Sequence, residues 1–326
     1  SVGEALTGSD DPLDIVERLG LDGINIRADY RKQYLNDNTF ADEWGTKRQL
    51  TGDCLPALLS SPIDTIDRHA TYEFPDPAAP HRFASLERAL DRFGDEKAVI
   101  LNLRDGFSDM RDLLGYEQAL MALLLQPKPF AELLARAVEY NLQLAAIAKR
   151  RFDTQIVATT DDVADATGLL MRPETYLELI GPKFKQAIQG YRDLGYLCIK
   201  HCDGKIDSVI DFWVDCGIDC LDPIDPSAGY TLGGMRARYG QRICLKGNVD
   251  CTGALCDGSP QQVDEEVRRC AVEGGRDGAL APRRAVFYAI DRGKRSARFH
   301  DWLDNVRIYR RVLSAEENAA LASGDQ

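Results

Sequence analysis

No apolar run in the 326-residue chain approaches the ~18 residues that a membrane-spanning helix needs, so a membrane protein is not expected. The amino-terminal Ser1-Val2-Gly3-Glu4 lacks the basic and apolar regions of a secretion signal. It also lacks an initiator Met, and a trimmed chain or a fragment is expected. Basic residues are in the minority: 40 Lys and Arg against 52 Asp and Glu give a net charge of −12 and a pI near 4.9. Such a surface does not bind nucleic acid, because phosphate contacts need a basic face. The acidity serves solubility. The nine cysteines are an odd number without regular spacing, and Cys198, Cys220 and Cys244 sit inside apolar runs, where cysteine behaves as a small hydrophobe. This excludes a disulfide framework and fits a reducing cytosol, so a cytoplasmic location is expected. Internal repeats and low-complexity segments are absent too.

What is present is alternation, and 44% apolar residues are enough for a sizeable core. Short apolar runs read as strands at 23–26, 98–103, 154–159, 197–200, 218–221 and 243–246, with one more at 278–281. Between them lie helical patterns at 14–19, 116–150, 173–194, 206–216, 227–239 and 259–270. Pro127 and Pro129 break the second pattern, so its second helix is expected over 130–149, and Gly181-Pro182 interrupts the third. Residues 42–45 read as part of a polar loop, and the proline-rich 74–80 as irregular chain.

Strands separated by helices imply parallel pairing, since a parallel crossover takes about a dozen residues or more. An α/β fold follows, and the length favours a (β/α)8 TIM barrel with an incomplete or atypical last βα unit. A doubly wound sheet is the runner-up, but the first strand runs into no Gly-rich phosphate turn. In either architecture the site lies at the carboxyl ends of the strands. Here those ends read Arg27, Arg104-Asp105-Gly106, Asp161-Asp162, His201-Cys202-Asp203-Gly204, Asp222-Pro223-Ile224-Asp225 and Gly247-Asn248-Val249-Asp250.

Several of these motifs, taken in order, resemble the uroporphyrinogen decarboxylase superfamily. They are Asp42-Glu43-Trp44-Gly45, Thr160-Asp161-Asp162, His201-Cys202-Asp203-Gly204, Gly217-Ile218-Asp219, Leu245-Lys246-Gly247-Asn248-Val249-Asp250 and Gly258-Ser259-Pro260, and the resemblance covers roughly residues 19–286. It implies a (β/α)8 barrel over residues 1–290. Residues 291–326 form an atypical tail in which 302–317 is similar to the closing strand of laminin-G-like domains. The amino-terminal Arg-Gln-Ala-Gly-Arg-Tyr signature of true decarboxylases is missing; only Arg27-Ala28-Asp29-Tyr30 stands there. The Asp-Glu-Trp-Gly and Asp-Asp motifs look instead like the methyltransferase-like branch, whose zinc-dependent members use a His-x-Cys pair and a distant Cys. Here Cys202 stands one place early, Asp203 takes its position, and Arg284 stands where the family commonly has a histidine.

His201 at a strand end suits a metal ligand, an acid or base, or a donor to a carboxylate. Strand alternation turns Cys202 to the opposite face and points only one of Asp161 and Asp162 inward, leaving the other to cap the following helix. If the inward carboxylate is buried beside another, its pKa rises and it becomes a usable acid. Zinc accepts nitrogen and oxygen ligands, so His201, Asp203 and one of Asp161 or Asp162 form a candidate set. Arg27 and Arg104 suit clamping a substrate carboxylate, unless they pair with Asp29 or Asp105. Asn248 suits orienting a ligand, with Asp250 beside it. Asp222 and Asp225 flank Pro223, where a turn is the plainer reading and substrate contact by Asp222 the other. Trp44 is placed to cover the mouth.

The resemblance implies methyl transfer between a corrinoid (cobamide) carrier and a small acceptor, with zinc at His201 and a corrinoid protein as partner. The alternatives are uroporphyrinogen III decarboxylation in porphyrin biosynthesis, which needs no cofactor, and a non-catalytic barrel that binds a small molecule or tetrapyrrole. A homodimer is compatible with all three.

Overall fold

The computed structural model describes residues 8–21, 23–51, 56–94, 96–240, 242–275 and 285–286. The expected strand at 278–281, Arg284 and the tail at 291–326 lie outside them.

The central sheet has seven strands, all parallel: β1 (Gly23–Arg27), β6 (Ala98–Leu103), β7 (Ile156–Thr160), β8 (Leu197–His201), β9 (Cys220–Ile224), β10 (Cys244–Gly247) and β11 (Ala285–Val286). They neighbour one another strictly in chain order. A doubly wound sheet would reverse its order at a switch point, so the sequential order is that of a (β/α)8 barrel. The crossovers are helical. They include α1 (Pro12–Arg18) before β1, then α2 (Ala84–Phe93), α3 (Phe107–Leu114), α4 (Tyr116–Leu125), α5 (Pro127–Phe152), α6 (Gly181–Asp193), α7 (Asp207–Cys216), α8 (Leu232–Tyr239), α9 (Ala254–Asp257) and α10 (Pro260–Gly275).

The register separates two faces. Ile24, Ile26, Val99, Leu101, Leu103, Val157, Cys198, Leu221 and Leu245 join the helices in one hydrophobic core. The alternate residues face inward. Arg27 pairs with Asn102, Asn102 with Ala158, and Ile199 with Cys220, which pairs in turn with Cys244. One step nearer the mouth, Thr160 pairs with His201 and His201 with Asp222. Apolar side chains therefore fill the layer under the helices, and polar ones collect at the inner carboxyl ends.

Four expectations need correction. Residues 42–45 are no mere polar loop: they turn between β3 (Thr39–Asp42) and β4 (Lys47–Gln49), which lie with β2 (Lys32–Asn36) and β5 (Ala57–Ser60) in a four-stranded antiparallel sheet. Those strands are short and largely exposed, so they lack the apolar alternation that marks a half-buried strand. The strand expected at 154–159 runs over Ile156–Thr160; the Thr154 hydroxyl is held by Tyr196 at 2.6 Å. Gly181-Pro182 does not break its helix. A π-turn at Tyr176–Ile180 leads straight into α6, where Pro182 lies in the first turn and needs no N–H. The helix expected at 227–239 begins only at Leu232, because Pro226–Ala228 forms a 3₁₀ turn behind Asp225.

Candidate active site

His201 ends β8 with its ring on the inner face. Its Nδ1 lies 3.3 Å from Oδ2 of Asp222 on β9, and its Nε2 lies 3.7 Å from Asp162 and 3.6 Å from Asp203. Asp222 is bridged in turn to Lys246 Nζ on β10 at 2.6 Å. Gly204 makes the turn that carries Asp203 alongside: its φ is +90°, and a Cβ there would run into the carbonyl of Asp165.

Burial by itself would lower the pKa of His201, but the carboxylates of Asp203 and Asp222 outweigh it and push the imidazole up to about 9. Burial would raise Asp222, yet the Lys246 and His201 charges hold it down at about 2. The imidazole is thus a cation near neutral pH, and Asp222 holds the proton on Nδ1.

Asp162, His201 and Asp203 each offer a ligand atom within 4.8 Å of the others. Separations of 3.6 and 3.7 Å from His201 are close to the ~3.4 Å edge of a tetrahedron with ligands at about 2.1 Å. With His201 neutral, the three carboxylates and the Lys246 ammonium leave two negative charges, which a divalent cation neutralises. The Nδ1 contact with Asp222 is the outer-shell carboxylate that metal-ligating histidines use. On donor chemistry, spacing and charge, the three residues fit zinc.

Asp161 is not among them. Strand alternation turns it outward, where it is fully buried and accepts the backbone N–H groups of Phe107 at 2.8 Å and Ser108 at 2.7 Å. It therefore caps α3 of the preceding unit, not the helix that follows it. The like-charged pair expected between Asp161 and Asp162 exists instead between Asp161 and Asp105. Burial, then the Asp161 charge, drive Asp105 well above the carboxylate range, while hydrogen bonds hold Asp161 ionised against its own burial. Lys200 lies 2.7 Å from Asp105 and 3.0 Å from the Asp161 carbonyl, under the rings of Trp213 and Phe184. At 2.7 Å the Lys200 ammonium lies beside the Asp105 carboxyl but off the hydrogen-bond direction.

The remaining candidates are scattered. Arg104 pairs with Asp109 at 3.2 Å and Asp112 at 2.8 Å, neither of which is Asp105. Arg27 is exposed at the end of β1, level with Asn102 on the inner face, and Asp29 is engaged by Ser85. Asn248 donates both amide hydrogens to the carbonyls of Ile224 and Tyr230 and accepts from Arg269, and it is buried, so its amide locks the fold. Asp250 accepts from Thr252 and Gly253 in a turn. Asp225 closes a turn as expected, accepting from Ser227 and also from Gly204, whereas Asp222 belongs to β9 and its ion pairs. Trp44 packs edge-on against Tyr30, Phe74 and Tyr140, with ring centroids 4.9–5.9 Å apart. Cys202 faces the helices, and burial pushes its thiol up to about 12.

Sequence reasoning missed Lys200, Lys246 and Asp105. The signal was there in Leu197-Cys198-Ile199-Lys200 and Ile243-Cys244-Leu245-Lys246: a lysine closing an apolar strand must find a buried anion.

No match is found among curated proteins. Among solved structures, a methyltransferase from Methanosarcina mazei superposes with a TM-score of 0.65 at 14% identity, over 83% of this chain and 81% of that one. At that identity the likeness speaks for the fold. The family model for uroporphyrinogen decarboxylase (URO-D) matches residues 13–280, which takes in every described strand from β1 to β10 and the whole His201 cluster. The chain belongs to the uroporphyrinogen decarboxylase family.

Proposed function

We propose that the protein is a methyltransferase that moves a methyl group between a corrinoid carrier and a small acceptor. The observation that carries this reading is the cluster of His201 with Asp162 and Asp203 at the inner ends of β7 and β8. Charge supports it. Among the described residues, Asp162, Asp203, Asp222, Asp225 and Asp250 gather at the mouth, while Arg104 and Lys246 are taken up by Asp109, Asp112 and Asp222, a poor match for a macrocycle bearing many carboxylates.

His201, Asp162 and Asp203 would hold zinc, which when bound lowers the pKa of an acceptor thiol. The protein's own part is positioning. Asp222 accepts from Nδ1, so the ring presents Nε2 to Asp162 and Asp203. Lys246 neutralises Asp222 and keeps that carboxylate from drawing the Nδ1 proton away.

The test is the metal content of chelator-washed protein beside His201→Ala, followed by methylcobalamin demethylation with an added thiol. The expected result is about one zinc per chain, lost in the variant together with turnover. Absence of zinc from both, with turnover of uroporphyrinogen, would sink the proposal and leave the decarboxylase reading.

A further inference from the structure

The inward-facing positions of β1, β6 and β7 form a wall that the His201 cluster does not use. Most of it is apolar, as a packed barrel interior requires: Ile100 pairs with Asn25 and with Ile156, and Ala158 stands between Asn102 and Ile199. Two carboxamides interrupt it. Asn25 is the middle residue of β1, two positions before Arg27, and Asn102 lies across from Arg27 on β6.

The fold satisfies neither amide in full. Oδ1 of Asn25 is sealed from solvent without a hydrogen-bond partner, and of the orphaned polar side-chain atoms among the described residues it is the one that faces into the barrel. Thr160 Oγ1 donates to Oδ1 of Asn102 at 3.1 Å, which turns the Asn102 nitrogen away from Thr160. Among the described residues that nitrogen has no partner. The asparagines that hold the fold together look different. Asn141 donates to Asp109 and Ala137 and accepts from the Arg104 N–H, and Asn248 is bonded just as completely. A half-paired amide in a barrel wall, where leucine or isoleucine would pack, lowers stability. Groups kept despite such a loss belong to binding sites.

Neighbouring strands lie ~4.8 Å apart and two residues rise ~6.6 Å, so the Cα atoms of Asn25 and Asn102 are about 8 Å apart and their inward amides flank one small space. There Asn25 supplies an acceptor and Asn102 a donor. A carboxylate answers only the donor and sets its lone pairs against the Asn25 oxygen, whereas an ammonium answers only the acceptor. A carboxamide answers both.

We infer that Asn25 and Asn102 form a subsite for the carboxamide end of a small ligand lying across the inner wall of the barrel. Two strand spacings, ~10 Å, separate Asn102 from His201, so a ligand held here extends its other end toward the cluster. The inference rests on the wall alone and does not depend on methyl transfer or on a metal.

The test is saturation-transfer NMR on the chelator-washed full chain with propionamide, propionate and propylammonium as probes. Propionamide should bind, and the two charged probes should bind weaker by roughly tenfold or more, because each leaves one amide unpaired. Asn25→Leu should abolish the propionamide signal and raise the melting temperature, since an apolar side chain suits that position better than an orphaned amide. An amide held by water for structural reasons would instead lower the melting temperature when replaced. Asn102→Leu is the second variant, should the first not fold, and should also lose propionamide. Absence of propionamide binding, propionate bound as tightly, a lowered melting temperature in Asn25→Leu, or a folded variant that still binds propionamide overturns the inference.

Discussion

Oδ2 of Asp222 lies 2.6 Å from Nζ of Lys246, and the two side chains are closed inside the barrel with His201 3.3 Å away on the other flank. One buried carboxylate therefore serves two cations, and its charge state governs both. Such a group is costly to break from one side, because the member left behind stays buried and unmatched.

The first prediction concerns pH. His201 titrates at about 9 in the fold against 6.5 when free, so its stabilising contribution is full below pH 6.5 and is lost as pH rises through 9. Asp222, at about 2 against 3.8, contributes fully above 3.8 and loses this as pH falls through 2. In chelator-washed protein the stability gap between wild type and His201→Asn should shrink by up to about 3 kcal/mol from pH 6.5 to 9.5, read by urea denaturation. A gap that does not change with pH would remove the imidazolium from the cluster.

The second concerns metal binding. A cation at Nε2 must displace a proton that is firmly held near neutrality, so zinc affinity should rise roughly tenfold per pH unit from 7 toward 9. Competition with a chromophoric chelator measures it. Asp203→Asn should weaken binding, while Cys202→Ser should leave it alone, because that sulfur faces the helices and takes the Val163 N–H. An effect of Cys202→Ser as large as that of Asp203→Asn would contradict the assigned ligand set.

The third separates the two outer carboxylates. Asp105 carries the shared proton, so Asp105→Asn replaces one neutral group with another and should cost within about 1 kcal/mol. Asp161→Asn removes the charge that two N–H groups of α3 and Lys200 rely on, and should cost about 2–4 kcal/mol. Equal losses in denaturant titrations would mean that the proton sits elsewhere.

Barrel and site were legible to different depths. Continuous apolar runs such as Ala98-Val99-Ile100-Leu101 mark strands buried on both faces, and their helical crossovers fix a parallel sheet, so the architecture follows from local pattern. Alternation likewise turned Cys202 away from His201. Which buried acid meets which buried cation is a tertiary fact. Asp105 and Lys200 are 95 positions apart, and only the β6–β7–β8 register brings them together beneath α3. Asn248 shows the same limit, since a side chain able to orient a ligand is equally able to staple three segments of backbone.

Gly204 supplies the last prediction, because it links backbone geometry to the ligand set. Its φ of +90° and that of Gly229, at +86°, impose a similar conformational cost on any Cβ. Around Gly229 nothing lies within 4 Å, whereas at Gly204 the Asp165 carbonyl, which also accepts the Lys205 N–H, occupies the space. Gly229→Ala should therefore cost only about 1 kcal/mol and leave zinc binding unchanged. Gly204→Ala must also push its turn off the Asp165 backbone, adding ~1–3 kcal/mol of strain and drawing Asp203 away from His201. Zinc affinity should fall in that variant alone. Because His201, Asp222 and Lys246 stay on their strands, the pH dependence of stability due to Asp222 should persist, which separates displacement of one ligand from collapse of the site.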